Sequence, residues 1–452
     1  MRLVEFPVAH SRVEHLDASG FPAVSIILSD GSIWPAWSEY RVRLGIGTQR
    51  SQARHIGYLI DFLAARSREF QPLASRGLLL QAWADALVMG TLGADGNDEA
   101  GLFWLPLSYS EAKKAVNTVT QFGDFLAAKG ISLPLNAERP ATVSEQIMFW
   151  RAWSYKKGAA LLGHLHTAVN MHRASLVGRE VDVRKLVDHS SPLDEVKRFP
   201  NHAIVPLLRD GFSARPPHLR WTSVRDQLIT LLLHYGGRRM SEPLHMWVGD
   251  VEPNPNDPTR CVPWIHHPTD GLIQHQDSRT SAVKNIRRDQ FLMLVYGLRP
   301  LTVQTGRRRV GFKNPLMEDG CRMRVYWSDI EADRFFWRLY NTYLATRPRV
   351  TRHPYLFITP DGEPMTSAAF SKVHSAAVRR LGLIAAKKFG TTPHGHRHAY
   401  ASAAEEKGVP NKALQVALGH RAPASQEIYK HPKIDEIADA MCFGNERGLL
   451  TI

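Results

Sequence analysis

The sequence predicts a mainly helical, α+β protein: a helical first half, then a mixed second half with a small antiparallel sheet. Three observations carry this. Apolar residues recur at helical spacing through the first third. A stretch rich in Pro, Ser, Gly and charge interrupts the chain at 181–217. Beyond it, helical runs alternate with a turn-flanked β pattern. With 452 residues, the chain is long enough for two or three domains, each with its own core. The expected division is a helical domain over 1–200, a linker over 201–217, and a second domain over 218–452 with an insertion at about 252–309.

In the first domain, TQRSQARHIGYLIDFLAARS places Ile56, Leu59, Ile60 and Leu63 on one helical face, with Thr48 as N-cap. SEAKKAVNTVTQFGDFLAAKG repeats the pattern with Ala115, Val116, Val119, Phe122 and Leu126, and Gly130 stops it. Arg50, Lys113 and Lys114 lie off those faces, so the bundle could grip DNA or be an ordinary helical bundle. In the second domain a helix capped by Thr222 or Ser223 ends at Gly236 and Gly237, and Arg238 and Arg239 follow. Ser241 starts a short helix leading to the strand-like WVGDV. Residues 252–309 are irregular and rich in Pro, Asp and Arg. VGFKNPLMEDGCRMRVYW reads as a hairpin turning at Asp319-Gly320, with Met323, Val325 and Trp327 on one face. A capping box from Ser328 to Glu331 opens a helix whose buried stripe is Ala332, Phe335, Phe336, Leu339 and Tyr343. A further helix is capped by Thr366 and stopped by Gly382.

Lys and Arg number 57 against 43 Asp and Glu, a net charge of +14. A surface so basic meets a polyanion, and nucleic acid is the first candidate; a merely basic surface is the bland alternative. No basic amphipathic helix with a clean apolar face points to a membrane. Cys261, Cys321 and Cys442 are scattered, which predicts neither disulfides nor a cysteine zinc site and suits a reducing cytoplasm. The first residues lack the apolar core of a signal peptide. GLLLQAWADALVMG is too short to span a bilayer and is broken by Asp85.

The stretch from Thr392 to Pro432 concentrates five histidines, two arginines and two tyrosines. His394, His396 and His398 would share a face on a strand and could then bind zinc. The alanine-rich run behind them is a helix pattern, however, and a spacing of two points side chains apart on a helix. No HExxH or cysteine partner accompanies them, so no metal is expected. A helix-turn-helix reading of NKALQVALGHRAPASQEIYKH fits its shape but leaves HGHR unexplained. A phosphoryl-transfer reading uses more of the residues, because His394 and Arg397 face one way on a helix, followed by His420 and then Tyr429.

Together with GGRRMSE upstream, this closely resembles the tyrosine recombinase, or phage integrase, family. That family's signature is an Arg followed by two residues and Glu, a Lys on a β-hairpin, HxxR, LGH and a Tyr. Here the matching positions are Arg239 with Ser241-Glu242, Lys313, His394 and Arg397, His420 and Tyr429, in order over about 222–437. Lys284 is the rival for the lysine; Lys313 is preferred because the Asp-Gly turn and alternating strand follow it. Arg238 is the rival for the first arginine; Arg239 is preferred because Met-Ser-Glu follows it. The spacing from Arg239 to the lysine is longer than the family usually has. His396, His398 and the run Arg307, Arg308, Arg309 keep an ordinary structural or solvated reading.

The resemblance implies a helical core-binding domain, a catalytic domain and a metal-free, cofactor-free mechanism. Arg239 and Arg397 would clamp the scissile phosphate as planar, permanently charged donors, each worth roughly 3–4 kcal/mol by analogy with an oxyanion hole. His420 would add a third bond, and His394 would position the phosphate and handle the nucleophile's proton. Tyr429 would attack to give a 3′-phosphotyrosine. A phenol of pKa near ~10 needs such a cationic pocket to act at neutral pH. Lys313 would protonate the leaving 5′-oxygen. The implied partners are double-stranded DNA, sister subunits in a homotetramer whose C-terminal tail docks in trans, and possibly accessory proteins, with no membrane. The implied setting is the cytoplasm, on the nucleoid. The large first domain and the insertion point toward a mobile element. A type IB topoisomerase and a DNA-binding protein without catalysis are the alternatives.

Overall fold

The computed structural model describes residues 10–66, 76–93, 95–98, 100–159, 172, 175–183, 197–213, 216–276, 283–313 and 315–420. Within them the chain is mainly helical, with small antiparallel sheets. It divides into two compact units: Met1–Gly158 with Leu162–Ser190, and Ala159–Leu161 with Ser191–Ile452.

The first unit opens on a hairpin, β1 (His10–Leu16) and β2 (Pro22–Leu28), with His10 opposite Leu28. The Asp17 carboxylate makes the turn, accepting from the N–H groups of Ser19 and Phe21 at 2.9 Å each. The helices are α1 (Pro35–Tyr40), α2 (Ile46–Arg66), α3 (Arg76–Met89), α4 (Tyr109–Ala128) and α5 (Val143–Ala159), and the short strands β3 (Glu138–Pro140) and β4 (Val177–Arg179) pair beside them. Ile56 and Leu59 of α2 and all five expected residues of α4 are buried. Leu63 is exposed and Phe62 takes its place in the core. The Gly45 carbonyl accepts from the N–H groups of Thr48 and Gln49, so Thr48 lies inside α2 and does not cap it. The three outward basic residues each meet a carboxylate: Arg50 with Glu14 at 2.5 Å, Lys113 with Asp182 at 3.2 Å, and Lys114 with Glu111 at 2.5 Å.

The second unit runs α6 (Asn201–Pro206), α7 (Arg220–His234), β5 (Val251–Asn254), β6 (Asp257–His266), β7 (Leu272–Gln276), β8 (Val283–Arg287), α8 (Arg288–Phe291), β9 (Arg322–Arg324), α9 (Ile330–Thr346), α10 (Ser367–Arg380), α11 (Pro393–Glu406) and α12 (Asn411–Leu418). Its centre is α7, whose Leu228, Ile229, Leu231, Leu232 and Leu233 are all buried. The second half of α7, apolar on nearly every side, belongs inside. The sheet order is β5-β6-β9, and β7-β8 is a separate hairpin.

Three sequence expectations are corrected here. The stretch 201–217 begins with α6 and a wide helical turn, Leu207–Gly211, so it is no linker there. Phe199, Ala203, Ile204, Leu207, Leu208 and Phe212 belong to the main core. Their helical spacing was hidden by the polar, proline-rich residues on either side. Next, 252–309 is largely frame: β5 and β6 are two of the three sheet strands, and Cys261, Ile265, Leu292 and Leu301 are core residues. Among the described residues, the β7-β8 hairpin is a separate two-stranded sheet. Finally, the hairpin expected at Asp319-Gly320 is reduced to one bridge, Glu318 to Arg322. Strand β9 pairs instead with β6, Arg324 opposite Trp264. Pro315 cannot donate to a ladder, whereas β6 offers a long half-buried edge. The cap of α9 also moves by one residue: Asp329, not Ser328, accepts from the Glu331 N–H at 2.7 Å. Its neighbour Asp333 is buried and accepts from the Cys261 N–H at 3.1 Å, tying α9 to β6.

A buried ion pair anchors the supposed insertion. Arg288 and Asp250 are both almost fully buried and joined through two oxygens, and the guanidinium carbon lies 4.1 Å from the Trp247 ring centroid. Breaking such a pair leaves a buried charge unmatched, so Asp250→Asn should destabilise this unit by about 3–5 kcal/mol. The double change Asp250→Asn with Arg288→Met should cost less than the single one. Urea unfolding of the two variants checks this ordering.

Candidate active site

Where α7 ends, the chain reverses through Gly236 and Gly237. Gly237 has φ +66°, and a Cβ there would lie 2.6 Å from Tyr400 Cδ1. Both facts require glycine. The reversal aims two arginines in opposite ways. Arg238 is 1% exposed, while the Arg239 side chain keeps 22% of its surface. Glu242, fully buried, accepts from the Arg239 backbone N–H and from its Nη1, each at 2.9 Å. That is the physical content of the three-residue spacing: the carboxylate orients the guanidinium that precedes it.

Helix α11 carries His394 and Arg397. Its first turn presses against the preceding loop so closely that a Cβ on Gly395 would lie 1.7 Å from the Gly390 carbonyl oxygen. Arg397 is 1% exposed. It donates from Nη1 to the Gly237 carbonyl at 2.7 Å, and from Nη2 to the Leu418 carbonyl and to His420 Nε2, both at 2.8 Å. The LGH triplet is the end of α12. Gly419 takes the left-handed conformation at φ +66°, and the His420 N–H returns to the Gln415 carbonyl at 2.9 Å. This is a Schellman closure, so His420 is placed by a helix terminus.

A guanidinium can only donate, so His420 Nε2 accepts and its ring proton sits on Nδ1. Burial first, then the charges of Arg397, Arg239 and Arg238, push the His420 pKa down to about 3. His394 stands exposed, its ring edge-on to His398 at 4.6 Å. Loss of hydration, then His398, Arg397, Lys313 and Lys387, hold its pKa down at about 4.

Both candidate lysines lie in the connection between β6 and β9. Lys313 is exposed, and its field reaches His394. The Leu316 N–H donates to the Gly419 carbonyl at 3.0 Å, which binds this segment beside His420. Lys284 lies on β8, opposite His275. Arg239, Arg397, His420, His394 and Lys313 are thus gathered around the ends of α7 and α12 and the start of α11. Tyr429 lies outside the described residues. Arg307 and Arg308 are exposed in a single turn, and Arg309 Nε donates to the Thr302 carbonyl at 3.2 Å.

The sequence reading missed a buried chain of imidazoles. His396 Nδ1 meets His234 Nδ1 at 3.0 Å, and its Nε2 meets His374 Nε2 at 2.8 Å, with Phe199 stacked on the ring at 4.1 Å between centroids. The signal was available: two residues on from His394, a helical side chain points away from that face, here into the core. The contacts use opposite nitrogens of His396, so the three rings share no metal position. Among the described residues, no cluster of His, Cys, Asp or Glu is set to hold an ion.

Burial holds His234 at about 4, His374 at about 3 and His396 well below its ordinary value. The unfolded chain takes up these protons first, near pH 6.5, so stability is full above that pH and falls on acidification toward 4. Each ring should cost about 1.4 kcal/mol per pH unit in that window. Urea unfolding between pH 7 and 5 should show this slope, and His374→Leu should reduce it by one proton's worth. Separately, Gly237→Ala should lose at least about 1–2 kcal/mol from its left-handed backbone alone. Gly249→Ala, where a Cβ meets nothing within 4 Å, is the neutral control in the same unfolding assay.

The chain is similar to known proteins over part of its length. The phage integrase family profile matches residues 332–436. Tyrosine recombinase XerC of Lactobacillus delbrueckii subsp. bulgaricus is 26% identical over 123 residues, covering 26% of this chain and 39% of that protein. Tyrosine recombinase XerD of Staphylococcus aureus is 30% identical over 100 residues, 21% of this chain and 32% of that protein. The chain therefore spans well under half the length of these relatives. Among solved structures, the Tn1549 transposon integrase with circular intermediate DNA aligns at a TM-score of 0.46 and 13% identity, over 90% of this chain and 97% of that one. XerH recombinase bound to palindromic difH aligns at 0.46 and 12%, over 90% and 82%. Over residues 332–436, then, this chain matches the phage integrase family, and it is similar to tyrosine recombinases over that part of its length.

Proposed function

We propose that the protein is a site-specific DNA recombinase that cuts and rejoins strands through a 3′-phosphotyrosine on Tyr429. The observation that carries this reading is the contact of Arg397 with His420, with Arg239 held beside it by Glu242. Two guanidiniums around a neutral imidazole suit an anion that gains charge in the transition state. In this reading Arg239 and Arg397 hold the non-bridging oxygens, and docking of the phosphate redirects the Arg397 donor now spent on His420. His394 assists the phenol's proton, and Lys313 protonates the leaving 5′-oxygen. Tyr429 follows His420 by nine residues, a span of at most about 30 Å even when extended, so the nucleophile is tethered within reach.

The net charge of +14 supports duplex DNA as the partner. Assembly is a homotetramer on paired half-sites, with the tail beyond Tyr429 docking on a neighbour, and the setting is a mobile element. No helix among the described residues is long and apolar enough to cross a membrane.

Covalent trapping tests the chemistry. The protein is mixed in EDTA with nicked duplexes made from the DNA flanking its own gene and run on a denaturing gel. A shifted band, absent with Tyr429→Phe, is expected. A band that survives the substitution moves the nucleophile elsewhere. Tight binding with no band at all would leave a DNA-binding protein without cleavage.

A further inference from the structure

Arg238 has no counterpart in the motif that singles out Arg239, yet it is the more deeply sealed of the two. Its Nε donates to the Gly236 carbonyl at 2.9 Å, its Nη1 to Met323 Sδ at 3.1 Å, and its Nη2 to the Ala417 carbonyl. All three acceptors are neutral. The carboxylate whose field reaches it, Glu242, already spends its oxygens on Arg239. A guanidinium stays charged even when burial opposes it, and a buried charge without a carboxylate is costly. A fold that needed only packing here could place a methionine or leucine among the same neighbours.

The three acceptors lie where the site is built. Gly236 precedes Arg239, Met323 lies on β9 just after the segment carrying Lys313, and Ala417 stands three residues before His420. The charge of Arg238 also reaches His420. We infer that Arg238 is a positioning residue for the phosphate: a buried cation, touching no substrate, whose charge is matched only when an anion docks among Arg239, Arg397 and His420. The inference rests on the phosphate-binding reading above. The charge does not move during the reaction, so it favours the state with the most negative phosphate, which is the transition state.

The test uses the full chain with Arg238→Met and Arg238→Lys. Inorganic phosphate is titrated calorimetrically. Covalent trapping is then timed on nicked duplexes whose scissile linkage is either a phosphodiester or a neutral methylphosphonate. A unit charge acting through protein at several ångströms predicts about ten-fold weaker phosphate binding in Arg238→Met, largely restored in Arg238→Lys. At sub-saturating protein, cleavage of the phosphodiester should slow by about ten- to a hundred-fold, and that of the methylphosphonate, whose transition state carries one negative charge fewer, by about the square root of that factor. Equal slowing on both linkages, phosphate binding indifferent to the Met change, or no phosphate binding by the unaltered protein would overturn the inference. Arg238 would then only hold the fold. If phosphate binding depends on Arg238 but the protein never joins DNA, the inference stands and the recombinase reading falls.

Discussion

The second unit is organised around one side chain, Arg397. Its guanidinium joins the turn after α7, the end of α12 and the His420 ring in three hydrogen bonds. Each is charge-assisted and shielded from water, the setting in which such bonds are strongest. Several other features follow from that contact. Gly237 must be glycine because its carbonyl is presented to Arg397 from a left-handed backbone with Tyr400 packed behind it. The Schellman closure of α12 turns the Leu418 carbonyl and the His420 ring toward the same guanidinium. The ring is obliged to be neutral because the only proton that could sit between the pair belongs to the arginine.

Around that fork the protein arranges a gradient of exposure. Arg238, Arg397, His420 and the imidazole chain are buried, Arg239 is partly open, and His394 and Lys313 are at the surface. Groups kept from water hold fixed charge or fixed orientation, and groups facing water are the ones free to exchange protons. The β6-β9 connection supplies the outermost member. It leaves the sheet after His266, forms its own hairpin and returns past Gly419 before β9. A lysine on such a path can be placed near the site without belonging to a strand.

Much of this was legible in the sequence, for identifiable reasons. α4 was readable because its apolar residues repeat at helical spacing beside a serine cap. The pairing of His394 with Arg397 follows from three residues on a helix, and Glu242 from the same interval. What stayed hidden depended on partners distant in sequence. α6 looks like a linker until Phe212 and α7 are known to cover it. β6 looks irregular until Asp333, more than seventy residues on, is seen to bond its backbone. Arg239 is marked by the Glu three residues on, but the letters do not show that Arg238 is buried and Arg239 partly open; the direction of the chain after Gly237 decides that. His396 was given an ordinary reading because a single imidazole says nothing of His234 and His374. Tyr429 remains a matter of motif and spacing.

Phe199 ties the first described turn of the second unit to the site helix. Its ring stacks on His396, and its N–H donates to the Gly395 carbonyl at 2.9 Å. The chain at residues 197–199 is therefore fixed to the very turn that carries His394 and Arg397. Mechanically, this is a short lever. A displacement of Phe199 is delivered directly to the backbone of α11, and through Arg397 to the helix ends it clasps.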